Sequence, residues 1–451
     1  MGSRATCCAR SKANLSNPGR APCVPGDTGP VSAAHENAMS RPVVRPLLHV
    51  AASIASRAAV PAARRERADP ANPLLAVLCC ALLLGLDGCH LRDGSSEQVV
   101  VPEVVRTNLY VAPNGSDANP GTQAEPFRTI ARAAQVVTAG TTVYVAPGQY
   151  TGGFRTNTNG SAEARIIFQS IERWGAKIVP PLDSRTTSAW DNRGSYVDIV
   201  GFEIDGTQYQ SGSKWLSGIY NGGSYNSIRH NHVHHVGLDV PCEPNGGSGI
   251  GVDSYYKGKH TDVIGNNVHD IGPLECRFHH GIYVSTQARI RNNLIYRVSG
   301  AAIHLWHDAQ RVDITGNTVS TSGSGIVVGG GDFYYTKGPN DHTVVANNIV
   351  FDNKHGILEQ GTTGENNQYR HNLVFQNAVA DWRLPPGREH VGTIEAEPAF
   401  VEYSRTGTPD FRLSAKSPAI GRGVALEPGE QDFQGRTRSK ATGVDIGAFQ
   451  H

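Results

Sequence analysis

Between residues 279 and 307 the chain gathers side chains that move protons and hold sugars. His279-His280-Gly281-Ile282-Tyr283 is followed by Ala302-Ile303-His304-Leu305-Trp306-His307. Imidazole and phenol are general acid and base groups. Ten of the 18 histidines fall between His230 and His307, so the enrichment is local. If Ile282 and Ile303 point inward from adjacent strands, Tyr283 and His304 stand side by side on the outer face, about 4.8 Å apart at the backbone. Tyr283, His280 and His304 are the candidate catalytic group. Trp306 offers a flat platform, and with His307 it ends the same strand. Arg277, Lys257 and Lys259 on flanking loops are candidates to hold an acidic ligand, and Asp253 joins them as a binding residue. The plainer readings are a Tyr283 that stacks on a neighbour, and a His230, His232, His234 and His235 group that serves turns or ladders. His280, His304 and His307 have no fixed ligand spacing, so no metal ligands are assigned.

Such neighbours need elements that stack in register, and the chain writes them as repeats. Six times it places an apolar residue, two positions, Asn, one position and another apolar residue. The Asn positions are Asn231, Asn266, Asn293, Asn317, Asn348 and Asn372. Their steps of 35, 27, 24, 31 and 24 residues belong to stacked repeats, and the Ile/Val alternation favours strands over helices. A second phrase interleaves: Gly218-Ile219, Gly249-Ile250, Gly281-Ile282, Ala302-Ile303, Gly325-Ile326 and Gly356-Ile357. Each turn thus carries at least two strands in fixed order. Identical Asn side chains stacked inside a coil can bond to one another, which offsets the burial of their amides. The expected fold is all-β: a right-handed parallel β-helix. Phe202 occupies the Asn column one coil before Asn231. In the Gly-Ile strands, residues one and three beyond each Ile point outward, which puts Ser285 and Gln360 outside. Loops at 335–341 and 376–390 are expected to wall a groove. The run Gly329-Gly330-Gly331 lacks a following Lys and helix, and reads as a loop.

The ends of the repeat carry a resemblance. Leu109-Tyr110-Val111-Ala112-Pro113-Asn114-Gly115, Pro126-Phe127-Arg128-Thr129-Ile130 and Val143-Tyr144-Val145-Ala146-Pro147-Gly148 resemble the start of secreted right-handed β-helix proteins of the pectate-lyase-like superfamily, including the pectate lyase family 9 type. Ser417-Pro418-Ala419-Ile420-Gly421, Asp432-Phe433-Gln434-Gly435-Arg436 and Asp445-Ile446-Gly447-Ala448-Phe449 resemble the closing segment of many such bacterial proteins. The resemblance covers about residues 108–450. It implies the fold, an Ala-rich capping helix near Thr129 to Val137, and a polysaccharide ligand. The superfamily holds lyases, hydrolases and epimerases, so it names no single reaction. His279-His280-Gly281 is similar in shape to the Gly-His-Gly phrase of β-helical polygalacturonases. Their chemistry needs paired carboxylates, and only Asp253 and Asp308 are placed for it. The family 9 pattern uses a Lys base and a calcium site of several Asp. No cofactor is expected here; a calcium ion would draw on loop oxygens of Asp239, Glu243, Asp253 and Glu275.

A net charge of +1 gives no basic field for nucleic acid. Residues 1–63 read as disorder or an over-extended start. Residues 64–89 read as a signal peptide: a basic flank at Arg64, an apolar run from Leu74 to Leu86, then Asp87-Gly88-Cys89. That ending resembles the bacterial lipobox, with Cys89 as lipidation site, so contact with a membrane is expected only through a lipid anchor. Residues 90–107 follow as a linker, and 108–450 form the β-helix with its caps. Of eight cysteines only Cys242 and Cys276 lie beyond Cys89. They sit in matching loops of consecutive coils and are expected to form a disulfide. The expectation is a monomeric, secreted or cell-surface lipoprotein of a bacterium. Its expected activity is that of a polysaccharide lyase cleaving an acidic, uronate-containing glycan by β-elimination. A glycoside hydrolase or uronan epimerase on the same groove is the alternative, and a non-catalytic glycan-binding protein the third reading.

Overall fold

The computed structural model describes residues 105–425, 430–438 and 443–451. The expected start, signal peptide and lipobox with Cys89 lie outside the described residues, as does most of the linker. Within them, each full coil adds one short strand to each of three parallel sheets of eleven, nine and nine strands. One coil shows the order: Ser227–Arg229 in the first sheet, His232–Val236 in the second, Gly247–Val252 in the third. The expected parallel β-helix is what forms.

The corner from first to second sheet explains the Asn phrase. All six Asn are fully buried. The first five side-chain amides each donate to the Asn carbonyl oxygen of the next coil at 2.9–3.1 Å. Each also donates to a backbone carbonyl of the coil before, as Asn317 does to Ile290 O at 2.8 Å. Phe202 opens the column: its N–H donates to Asn231 Oδ1 at 2.9 Å. The residue before each Asn lies in the left-handed region, including His230 at φ 57° and Asn292 at φ 55°. Asn and His tolerate that region better than most residues, and Gly265 and Gly316 occupy it without penalty.

The interior is a column of inward aliphatics. Ile250, Ile282, Ile303, Ile326 and Ile357 stack in register, each at most 1% exposed. The small residue before each Ile sits where the strand meets the core. A Cβ on Gly281 would fall 2.6 Å from Ile295 Cγ2. The helix Ile130–Val136 lays Ile130, Ala133 and Ala134 over the first apolar layer, with Thr129 capping its N-terminus. At the other end the chain turns back: Phe411, Phe433 and Phe449 pack on Leu294 and Tyr296 of the second sheet.

Cys242 and Cys276 are bonded, with Cα atoms 5.4 Å apart, across the loops that lead from the second sheet into the third. Closing a separation of 34 residues stabilises the fold by about 3–4 kcal/mol in the chain-entropy account. Reduction, or Cys242→Ser with Cys276→Ser, should lower the denaturation midpoint accordingly; a shift near zero would overturn this. One expectation fails here: residues 376–390 are no open loop, because Ala380–Arg383 pairs with His355–Gly361 and ends the third sheet.

Candidate active site

The outer face of the third sheet carries the sequence-predicted group. Its register aligns Tyr220, Gly251, Tyr283, His304, Val327 and Leu358 across adjacent strands. The His280 ring stacks on Tyr283 at 5.3 Å, and His304 meets both, at 4.3 Å from His280 and 5.6 Å from Tyr283. Gly251 carries no side chain between Tyr220 and Tyr283, and a Cβ there would lie 3.8 Å from Tyr220 Cδ2. Among the described residues the Tyr283 hydroxyl makes no hydrogen bond. Burial, and behind it the negative charge that Tyr334, Asp253 and Asp332 can carry, pushes its pKa well above the ordinary value. The phenol is therefore protonated in the free protein.

The histidine pair has a definite proton arrangement. Ala301 N–H donates to His280 Nδ1 at 3.3 Å. His280 Nε2 and His304 Nδ1 are 3.0 Å apart, and the Gln360 amide lies 3.3 Å from His304 Nε2. If both outer nitrogens accepted, both N–H protons would crowd into the inner contact. The backbone amide cannot turn round, but a Gln amide can. His280 thus donates from Nε2, and His304 presents Nε2–H outward to the Gln360 oxygen or to a ligand that displaces it. Burial, then His304 and His279, holds His280 well below its ordinary pKa. Burial, then the charge of His307, brings His304 from 6.5 to about 4. Both rings are neutral at neutral pH.

That shift has a stability consequence. As pH falls from about 6.5 to about 4, the unfolded chain binds a proton at this imidazole that the folded chain refuses. His304's contribution is therefore fully present above about pH 6.5 and is lost progressively toward about pH 4. His304→Gln should flatten the acid limb of a thermal-unfolding series against pH; an unchanged slope would count against a neutral His304.

The remaining sequence candidates divide. Trp306 is only half-exposed. Its ring lies on the third-sheet glycines: a Cβ on Gly329, Gly331 or Gly361 would come within 2.9, 2.5 or 2.7 Å of it. The Gly329-Gly330-Gly331 run is thus not simply a loop. Gly329 and Gly330 end the strand Ser324–Gly330, and the missing side chains of Gly329 and Gly331 admit the indole. Trp306 Nε1 donates to Asp332 Oδ2 at 3.2 Å. His307 does not join His280 and His304; its ring stacks on Tyr334 at 4.0 Å. Asp253 is committed to the scaffold, accepting from Tyr220 Oη at 2.5 Å, Ser285 Oγ at 2.9 Å and Tyr255 N at 2.9 Å. Ser285, expected outward, is fully buried, because the strand ends at Val284 and the alternation stops with it. Asp308 is equally occupied by Ser254, Tyr335 and Thr336. Lys257 lies over the Tyr335 ring at 5.7 Å, and Arg277 is exposed beside Phe278. No three of Asp239, Glu243, Asp253 and Glu275 converge; among the described residues, carboxylates join ligand groups of three only on the second sheet. The loop carboxylates do not fit a calcium cage.

Two features lay outside the sequence reading. Tyr255, Tyr256, Tyr334 and Tyr335, 42–56% exposed, form a wall beside Trp306 and Tyr283. Tyr335 Oη donates to Tyr255 O at 2.7 Å, and Tyr255 and Tyr334 rings meet at 5.7 Å. Their signal was present as two Tyr-Tyr doublets, each a few residues past a Gly-Ile strand. The second feature corrects the turn reading of the earlier histidines. His232 and His234 are strand residues on the outer face of the second sheet, in register with Glu203 and Asp205. His230 does occupy a bend, at φ 57°, while His235 lies within the same strand at φ 55°.

Family comparison agrees with the parallel β-helix. Residues 109–271 match the Pel9A-like, right handed beta helix region, and residues 217–384 match the right handed beta helix region. The chain is a right-handed parallel β-helix protein, similar over residues 109–271 to the Pel9A-like form of that fold. The crystal structure of pectate lyase Pel9A superposes with a TM-score of 0.53 at 16% identity, over 77% of this chain and 97% of that one. The chain is 33% identical to the uncharacterized protein YwoF of Bacillus subtilis over 131 residues, which are 28% of each. It is 34% identical to pectate lyase PEL9 of Emericella nidulans over 73 residues, 16% of this chain and 18% of that one. The matches thus span under a third of either curated relative.

Proposed function

We propose that this protein is a polysaccharide lyase that cleaves an acidic glycan by β-elimination. One observation carries the reading: Tyr283 and the neutral His280–His304 pair meet on the outer face of the third sheet, beside a wall of exposed tyrosines. Exposed aromatic faces suit the flat apolar sides of sugar rings. The pectate lyase names among its relatives agree with that choice.

Elimination needs the uronate C5 proton removed, the carboxylate charge stabilised and the leaving oxygen protonated. His304 presents its Nε2–H at the face where a carboxylate would displace Gln360, and a preorganised donor stabilises the charge that grows as C5–H breaks. The raised pKa of Tyr283 disfavours a standing phenolate. The phenol instead acts as a relay: its oxygen takes the C5 proton while its own proton passes to the leaving oxygen. The C4–O bond breaks, a C4–C5 double bond forms, and the phenol emerges unchanged. Arg277 or Lys257 supplies positive charge at the rim. Hydrolysis has less support, since Asp253 and Asp308 both spend their oxygens on the scaffold.

The test is a panel of pectate, alginate, hyaluronan, chondroitin and neutral glycans, with and without calcium. Ultraviolet absorbance of unsaturated uronate and new reducing ends are read together. A rise in both on one uronate supports the lyase. Reducing ends without absorbance would replace it with a hydrolase, and binding without either would make the face a recognition surface. Secretion through residues 64–89 and lipidation at Cys89 stay part of this proposal; radiolabelled lipid incorporation lost in Cys89→Ala tests the anchor.

A further inference from the structure

The outer face of the second sheet holds a cluster that the lyase reading does not use. Parallel register places Glu203 beside His232, and Asp205, His234 and His269 in a row. His234 Nε2 lies 3.0 Å from Glu203 Oε1, and the His232 and His234 rings are 4.4 Å apart. One ligand atom each from Glu203, His232 and His234 falls within 4.8 Å of the others. We propose that Glu203, His232 and His234 form a binding site for a divalent transition metal ion of the zinc class. Two imidazoles and one carboxylate are a zinc donor set, and a fourth position stays open to water.

The surroundings are built as metal sites are. A ligating imidazole is oriented by a partner on its other nitrogen. His234 Nδ1 has His235 Nδ1 at 2.7 Å, and His232 Nε2 has His269 Nε2 at 2.7 Å. His269 Nδ1 donates to Asp270 Oδ2 at 2.6 Å, and Arg297 grips Asp270 with two nitrogens at 2.7 and 2.8 Å. These contacts leave His234 Nε2 and His232 Nδ1 to face a cation with Glu203. The Nε2 proton of His234 is the one to be displaced. His234 can keep a proton on Nδ1 by reversing the contact with His235, whose own proton then moves to Nε2, 4.0 Å from Asp270. No net proton need leave the network.

Lys177 is the resident competitor. Its Nζ lies 2.8 Å from Glu203 Oε1 and 3.5 Å from Asp205 Oδ2, so its ammonium balances both carboxylates. When a cation takes Glu203, Asp205 retains the lysine. A bound ion would join two successive coils at Glu203 and the His232 strand, with the third braced through His269.

The experiment titrates zinc chloride into the full chain, read by calorimetry and by thermal unfolding with and without chelator. One ion per chain with a raised unfolding temperature is expected. Glu203→Gln and His232→Ala should each weaken binding at least about tenfold, and Asp270→Asn about 10-fold or more, by loosening His269 and with it His232. Lys177→Met should tighten binding, which a merely structural cluster would not do. Circular dichroism of Glu203→Gln, nearly isosteric, separates lost ligation from misfolding. No stoichiometric binding, or binding indifferent to His232→Ala, overturns the proposal. So does loss in His235→Ala with His232→Ala unaffected, which would assign the ion to Asp205, His234 and His235. No readout involves glycan cleavage, so the result stands apart from the lyase reading.

Discussion

Tyr283→Phe should lower the rate of unsaturated-uronate formation by about 10²–10⁴-fold, the usual contribution of a positioned proton-transfer group. The substitution removes one oxygen that makes no hydrogen bond among the described residues, and keeps the ring that stacks on His280 and meets His304. Folding stability should therefore change little, and glycan affinity by no more than a few-fold. The loss should appear in kcat, because the hydroxyl acts only as bonds to C5 and the leaving oxygen change. His304→Gln tests the partner role. It should cost less than Tyr283→Phe, since a glutamine amide still offers an N–H to the carboxylate. A Tyr283→Phe protein that keeps more than about a tenth of its activity would remove Tyr283 from the chemistry and leave the face without its proton relay.

The second large effect concerns the Asn ladder. Asn317 Oδ1 accepts from Asn293 N and Nδ2 at 2.9 and 3.0 Å, and Asn317 Nδ2 donates to Ile290 O at 2.8 Å. Asn317→Ala leaves Asn293 N and Ile290 O without these partners in the buried interior, and leaves Asn293 Nδ2 with Val263 O alone. Each unsatisfied buried group costs about 1–3 kcal/mol, so a loss of about 3–5 kcal/mol is expected after partial relaxation. Asn231 begins the ladder, and its Oδ1 accepts only from Phe202 N. Asn231→Ala should therefore cost less than Asn317→Ala in urea denaturation. Equal and small losses, below about 1 kcal/mol, would mean that aliphatic stacking alone sets the register.

These two predictions differ in how far they could be read in advance. The Asn rungs are legible because a buried amide is satisfied most simply by its own copy one coil away, so the chemistry of one coil dictates the next. Tyr283 beside His304 is legible for a related reason. Once Ile282 and Ile303 are inward neighbours, a two-residue period leaves the next side chains adjacent on the outside. Ser285 shows where that logic stops: the strand ends one residue earlier, and the side chain turns inward to meet Ser254 and Asp253.

Alone, the sequence determined the parallel coil with at least two stacked strands per turn, the Cys242–Cys276 bridge and the outward Tyr/His pair. All of these follow from spacing within or between neighbouring coils, where strand geometry allows one answer. Only the tertiary structure decided what loops and distant coils do. It laid Trp306 on three glycines, raised the four-tyrosine wall, spent Asp253 on Tyr220, and brought Glu203 against His234. Loop paths and side-chain partners across coils depend on packing that no local period encodes, because insertions of different length separate residues that the solenoid then stacks.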